Sequence, residues 1–392
     1  MNRSKLANLV RSNYPKAFGI RKKMQRLRIL RLQERLLPKD LVALGEAEPG
    51  KKAEIIAPYM EKWHDYMIPY VREMEMILEK APAYQTCENM EALRTDIMFC
   101  KLAYGFLPSE YCGFGLEKKT PEERKAYASD IDRFIFCYTV DDITALQNYL
   151  DKAKEYKLFK KYYGRDAVAL ETAKDKRAFV EFIDRHPQFV KKNVYLSMGN
   201  SVELIDSRGQ DPEALFQTLI ANGKVLLEEK VTQHETMAAL NASSVNTVRC
   251  ATFLTKKGVE IPFCFLKVGR SGSFVDNGGQ GGILIGLDKE TGRIDSDGFD
   301  EYGSCFSEHP DSHIVFKGYQ LPAWDEMLAV CRQMATENPD VRYVGWDMAY
   351  TERGWVVIEA NGLGQFIGPQ TIRKRGIKEE INAYFAEMEH VV

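Results

Sequence analysis

The chain has 392 residues, of which 45% are hydrophobic and 28% charged, and its formal net charge is -2. That composition is ordinary for a globular protein, leaves room for two or three domains, and gives no sign of a nucleic-acid partner. No apolar run reaches the roughly 18 residues of a membrane span, the N-terminus lacks the hydrophobic segment of a signal peptide, and the eight cysteines stand singly without a CxxC pair, so buried thiols in the cytoplasm are the expectation.

From Met1 to Asp40 cations far outnumber acids, and RKKMQRLRILRLQERLL (Arg21 to Leu37) has the repeat of an amphipathic helix with a basic polar side. Such a helix either packs its leucine stripe on the body of the protein or makes a peripheral contact with an anionic membrane, an acidic partner or polysaccharide machinery. Pro38 ends it. A second helical region runs from about Ala53 to Lys80, with Pro58 and Pro69 starting or kinking its helices; its aromatics and methionines, Trp63 and Met74 among them, read as core. Another helix is expected from Glu88 to Tyr104. Thr120, Pro121 and Glu123 form a capping box with proline at the first helical position, which predicts a helix from there towards Phe134. Residues 1–140 therefore read as a mainly helical region.

Beyond Thr144 strands enter. Tyr149 to Tyr163 reads as a Lys- and Tyr-rich helix closed by Gly164, followed by the apolar run Ala167 to Leu170 and a helix from Lys174 to Arg185. FVKKN (Phe189 to Asn193) is a strand that carries Lys191 and Lys192 into a small-residue loop with Gly199, where backbone N–H groups and a lysine can meet an anion. A strand at Ser201 to Ile205 and a helix at Pro212 to Asn222 precede Val225 to Leu227, which runs into Glu228 and Glu229. Two acids closing a buried strand are either edge solubility or site residues. SVNTVR then leads into the strand Cys250 to Thr255, a turn at Lys257 and Gly258, and a strand from Glu260 to Gly269. GSFVDNGGQGG (Gly272 to Gly282) is the densest run of glycine, able to approach a ligand or move as a lid, and it matches neither the Walker A nor the GxGxxG spacing. Ile283 to Leu287 is a strand, Ala323 to Asn338 a helix, and a helix from Ile377 to His390 closes the chain.

The stretch richest in chemistry is GWDMAYTERGWVVIEAN, Gly345 to Asn361. Trp346 to Tyr350 and Trp355 to Glu359 read as two strands joined by a tight turn. Alternation puts Glu359 and Asn361 on one face, and the turn brings Asp347 opposite them. Three hard oxygen donors on one face suit Mg²⁺, which keeps its other positions for water and substrate phosphates.

In this order, LDKAKEYKLFKKYYG, LLEEKVTQHETMAALNASSVNTVR, VDNGGQGG, HPDSH and GWDMAYTERGWVVIEAN resemble the ATP-grasp superfamily and, within it, the sugar-transfer-associated ATP-grasp proteins of bacterial polysaccharide loci. The resemblance covers roughly residues 95 to 385. It implies an α+β fold of two subdomains clasping ATP, expected at 141–230 and 231–392, after the helical region. It also implies ATP and Mg²⁺ as cofactors, with Lys152 and Lys192 as the phosphate-contacting lysines and Lys191 left open by a one-residue shift. Glu228, Glu229 and the backbone of Lys230 and Val231 resemble the adenine-reading linker. Glu235 takes the ribose position, with His234 beside it, and Asp347, Glu359 and Asn361 are the metal ligands. Many family ligases place an arginine two residues before the metal aspartate; here that residue is Gly345, and Arg249 is the expected substitute, ahead of Arg342 and Arg270. Asp276 and Asn277 are expected to touch the acceptor substrate or close over the phosphates, and His309 has no assigned role.

The implied chemistry is ATP-dependent ligation, in which a small-molecule or sugar-linked carboxylate is activated as an acyl phosphate and joined to an amine or other nucleophile. Cell-surface polysaccharide or sugar-conjugate synthesis is the implied setting. A phosphotransferase on the same scaffold, and a nucleotide-binding accessory protein without chemistry, are the alternatives.

Overall fold

A computed structural model of the protein describes residues 15–194, 202–276 and 281–392. The chain divides into two compact units, one of Met1–Ile143 with Arg375–Val392 and one of Thr144–Lys374. The closing segment thus groups with the N-terminal residues, whereas the sequence reading groups it with 231–392.

The first unit is helical. Pro58 and Pro69 lie inside the helices Lys52–Lys62 and His64–Lys80, each at the expense of one backbone hydrogen bond. The helix expected from Thr120 to Phe134 is two helices. Thr120 caps Pro121–Lys125 as expected, but Ser129 and Asp132 form a second capping box that starts Asp130–Val140. Burial here is not purely apolar. Asp96 accepts from Lys52 at 2.6 Å, Tyr111 at 2.6 Å and Arg124 at 2.7 Å, so a half-buried acid sits between two buried cations that balance it. Lys378, on the last helix, pairs with Asp132 at 2.8 Å.

The second unit contains two sheets. In the smaller, β1 (Ala167–Leu170), β2 (Gln188–Asn193), β3 (Val202–Asp206) and β4 (Val225–Glu229) are antiparallel in the order β1-β4-β2-β3. Its core packs Leu170, Phe189, Val225 and Leu227 against Phe179, Phe182 and Phe216 of the helices Lys176–Arg185 and Pro212–Ile220. Period-two alternation sends Lys192 and Glu228 to the opposite face.

The larger sheet contains β5 (Thr247–Thr255), β6 (Gly258–Glu260), β7 (Cys264–Val268), β8 (Ile283–Leu287), β9 (Ile294–Phe299), β10 (Cys305–Phe306), β11 (Tyr343–Thr351) and β12 (Gly354–Asn361). Its order is β10-β9-β8-β7-β5-β11-β12, with β6 on β5. The strand expected from Glu260 to Gly269 is broken where Pro262 removes a donor, and β9 and β10 had no expectation. The helix expected from Tyr149 to Tyr163 is also split. Asp151 accepts from the N–H groups of Ala153 and Lys154 at 3.0 and 3.1 Å, starting a new helix, Lys152–Phe159, after Ile143–Leu150. No helix among the described residues is long and apolar enough to cross a membrane.

Candidate functional site

The hairpin β11–β12 forms as the sequence predicts, and its register aligns Asp347 with Glu359 and Gly345 with Asn361. On its other side β11 pairs with β5, so that Asp347 stands opposite Arg249. Arg249 donates to Asp347 from Nε to Oδ1 at 2.6 Å and from Nη2 to Oδ2 at 2.9 Å. Lys267 Nζ lies 3.2 Å from Oδ2, and Asn361 Nδ2 donates to the same oxygen at 3.4 Å. Burial alone would raise the Asp347 carboxyl, but Arg249 and then Lys267 hold it down at about 2, so it is ionised at neutral pH.

Gly345 leaves the space that this arginine uses. A Cβ at residue 345 would stand 3.1 Å from Arg249 Cδ, closer than most side chains pack, and in ordinary contact with Nε at 3.6 Å. The space over Gly345 is thus occupied by a guanidinium from the neighbouring strand. Among the fallbacks, Arg270 pairs with Asp311 at 3.1 Å.

Lys267 also lies 3.5 Å from Asp276. The Asp276 carboxylate accepts from the Thr247 N–H at 3.0 Å and from the Thr247 hydroxyl, and burial pushes it up. It ties the start of the glycine-rich loop to β5. Asn277 and Gly199 lie outside the described residues. His309 is fully buried; its Nε2 meets the Gly269 carbonyl at 2.9 Å and its Nδ1 accepts from the N–H groups of Asp311 and Ser312, so it ties its own turn to the end of β7.

The helix Lys152–Phe159 reaches the same hairpin twice. Lys152 Nζ lies 3.2 Å from Glu359 Oε1. One turn later Glu155 accepts from the Ala360 N–H at 2.7 Å and from the Tyr163 hydroxyl at 2.9 Å. Burial, and then the nearby Glu359, raise the Glu155 carboxyl to about 8.

On the smaller sheet Lys192 Nζ contacts both oxygens of Glu228 at 3.0 Å and lies 3.5 Å from the Ile358 carbonyl, beside Glu359. Lys191 points the other way and pairs with Glu203 at 3.0 Å. Glu228 also accepts from Arg165 Nε at 2.8 Å, and Arg165 donates to the carbonyls of Tyr163 at 3.1 Å and Val357 at 2.6 Å. Glu229 turns away to accept from the Asp166 N–H at 3.0 Å. With Lys230, Val231 and Thr232 it lines an open pocket of ≈ 200 Å³ whose walls include the hairpin turn Thr351 to Arg353. Glu235 is exposed at the start of the helix Glu235–Leu240, and His234 caps that helix through Nδ1 at 3.2 Å.

Arg165, Lys267 and Glu155 were not anticipated. For two of them the signal is a charge where the pattern is apolar: Lys267 interrupts the buried run Cys264–Val268, and Glu155 lies on the buried face of its helix, whereas Arg165 sits in a loop without such a pattern. Burying such groups unpaired would be expensive.

Among the described residues no group of three or more His, Cys, Asp or Glu side chains forms a metal cage. The donors on the hairpin are instead two carboxylates and an amide, a set that suits a Mg²⁺ sharing its shell with phosphate and water. Around them Lys152, Arg249 and Lys267 balance Asp276, Asp347 and Glu359, charge for charge. A divalent cation added alone would leave this cluster positive, whereas one arriving with a polyphosphate would not. The residues present therefore fit Mg²⁺ in company with its nucleotide.

A model of the sugar-transfer associated ATP-grasp family matches residues 161–384. No curated protein matches the chain significantly. Among solved structures, the ATP-grasp ligase PsnB complexed with its minimal precursor aligns at 16% identity over 64% of this chain and 64% of its own, with a TM-score of 0.39. The alignment thus spans less than two thirds of the PsnB chain. D-alanyl-alanine synthetase A from Vibrio cholerae O1 aligns at 9% identity over 63% of this chain and 67% of its own, with a TM-score of 0.41. N5-carboxyaminoimidazole synthetase from Staphylococcus aureus, complexed with ADP, aligns at 11% identity over 58% and 48%, with a TM-score of 0.39. Nothing about this chain's substrates follows from likenesses of that size.

Proposed function

Because the chain belongs to the sugar-transfer associated ATP-grasp family, we propose that it is an ATP- and Mg²⁺-dependent ligase joining a carboxylate to an amine or other nucleophile. Cell-surface polysaccharide or sugar-conjugate synthesis is the setting that the family's description suggests. The observation that carries the reading is the pairing of Asp347 with Arg249 in the space over Gly345, beside Glu359 and Asn361. It supplies both halves of a phosphoryl-transfer site, acids for a metal and a fixed guanidinium for developing negative charge.

In this reading the substrate carboxylate attacks the γ-phosphorus of ATP, the bond to ADP breaks, and the nucleophile then attacks the acyl carbon and expels phosphate. Catalysis comes from positioning and charge neutralisation rather than from a protein nucleophile. Lys152 and Lys192 leave Glu359 and Glu228 for phosphate oxygens. Arg249 spends Nε and Nη2 on Asp347, which holds the guanidinium fixed and leaves Nη1 to donate to the transferring group. Lys267, locked between Asp276 and Asp347, adds a second fixed cation. Mg²⁺, when bound, would neutralise phosphate oxygens, held by Asp347, Glu359 and Asn361. The linker backbone at Lys230 and Val231 reads the adenine, and the pocket it lines supports that role.

The test is phosphate release from ATP in the presence of panels of carboxylates and amines. Release that requires both substrates supports ligation. A phosphorylated product formed without free phosphate would make the protein a kinase instead.

A further inference from the structure

The first described helix, Pro15–Gln33, carries seven Lys and Arg residues and no acid. At about 100° per residue, Gln25, Ile29 and Leu32 share one face. Gln25 is buried and donates its amide to the carbonyls of Tyr138 and Asp141, the latter at 2.7 Å. This face docks the helix on its own unit. The other face is unlike that of an ordinary solvated helix. Ile20, Met24, Leu27 and Leu30, at i, i+4, i+7 and i+10, point outward with relative exposures of 62%, 55%, 46% and 52%. Lys23 and Arg31 are exposed among them, and Arg26 and Arg28 are exposed at the two margins of the row.

We propose that this face is a membrane-surface anchor, lying on an anionic bilayer with its four apolar side chains in the headgroup region and its cations on lipid phosphates. The charge pattern selects this occupant. The helix offers seven cations and no acid beside the apolar row, with Arg26 and Arg28 along its two edges, which complements a surface of lipid phosphates over acyl chains. The chain as a whole is at -2, so the remainder of the sequence taken together is net acidic, and the attraction to an anionic bilayer is concentrated at the N-terminal segment. The inference rests on the exposure of that face and holds whether or not the proposed ligase activity is correct.

The test is co-sedimentation of the full chain with vesicles of phosphatidylcholine alone and of phosphatidylcholine mixed with phosphatidylglycerol. Sedimentation with the mixed vesicles only, weakening as salt rises, is expected. Arg26→Gln and Arg31→Gln should each weaken it about fivefold at low salt. The double variant Leu27→Glu/Leu30→Glu, at exposed positions and checked for an unchanged melting temperature, should abolish it. The proposal is overturned by equal binding to neutral vesicles, or by binding indifferent to the Leu27/Leu30 change, which would be adsorption by charge alone. Absence of vesicle binding, with a self-association that the Leu27/Leu30 change removes, would assign the face to a second copy and overturn it too.

Discussion

Glu228 is the acid on which two buried cations depend, and removing its charge should cost much more than removing either of theirs. It is 3% exposed and meets Arg165 and Lys192 at 2.7 to 3.0 Å. Burial would raise its carboxyl, but Arg165 and then Lys192 lower it. In Glu228→Gln two cations remain in the interior with no acid between them, and breaking a buried pair from one side costs about 3–5 kcal/mol. Arg165 keeps the carbonyls of Tyr163 and Val357, which places the loss near the lower bound, about 3 kcal/mol. For a unit of this size that is a fall of about 6–12 °C in melting temperature. Lys192→Met is the contrast. It leaves Glu228 paired with Arg165 and fills the same space with an uncharged chain of similar length, so it should cost about 1 kcal/mol or less while removing nucleotide-dependent activity. The assay is urea unfolding of both variants beside wild type, with activity measured in parallel. A Glu228→Gln variant within about 0.5 kcal/mol of wild type, or a Lys192→Met variant destabilised as much as Glu228→Gln, would refute the reasoning.

Asp347→Asn should not be a silent change to the fold: it strands the buried Arg249 and leaves Lys267 with Asp276 alone, with an expected loss of about 3 kcal/mol seen in denaturant unfolding. Asp151→Ala removes the cap of the helix that carries Lys152, together with the partner of Lys224 at 3.1 Å, and should lower stability by about 1–2 kcal/mol and weaken nucleotide binding in a titration. Glu110 gives a pH test in the helical unit. It is 3% exposed, and burial and then Asp130 raise its carboxyl to about 8. Between its usual value and 8 the folded chain holds a proton that the unfolded chain has lost, so this group makes stability fall as pH rises through that window. Glu110→Gln keeps an oxygen for the N–H groups of Leu107 and Asp130 and should flatten that fall in melting temperatures measured from pH 5 to 9.

The hairpin was legible because its chemistry lies within seventeen residues and strand alternation alone decides which side chains share a face. Arg249 could be nominated but not placed. Its partner Asp347 is 98 positions away, and period-two patterns do not say that β5 lies between β7 and β11. Lys267 was lost for the same reason, since only the sheet order brings β7 within reach of β11. Helix boundaries failed where a second cap intervened: Asp151 and Ser129 each restart a helix inside a run whose apolar repeat continues. The basic N-terminal helix was recognised, but its repeat is compatible with two docking faces, and only the burial of Gln25 decides which one faces the protein.

The central claim is that Glu359, with Asp347 and Asn361, holds Mg²⁺ only together with nucleotide. Glu359 is the clean probe, because its side chain is 34% exposed and pairs with Lys152 rather than with a buried cation pair. The measurement is the melting temperature of wild type and Glu359→Gln with Mg²⁺ alone, a non-hydrolysable ATP analogue alone, and both together. The account predicts a shift in wild type only with both, and its loss in Glu359→Gln at an unchanged starting temperature. An equal shift in Glu359→Gln, or a wild-type shift with Mg²⁺ alone, would contradict it.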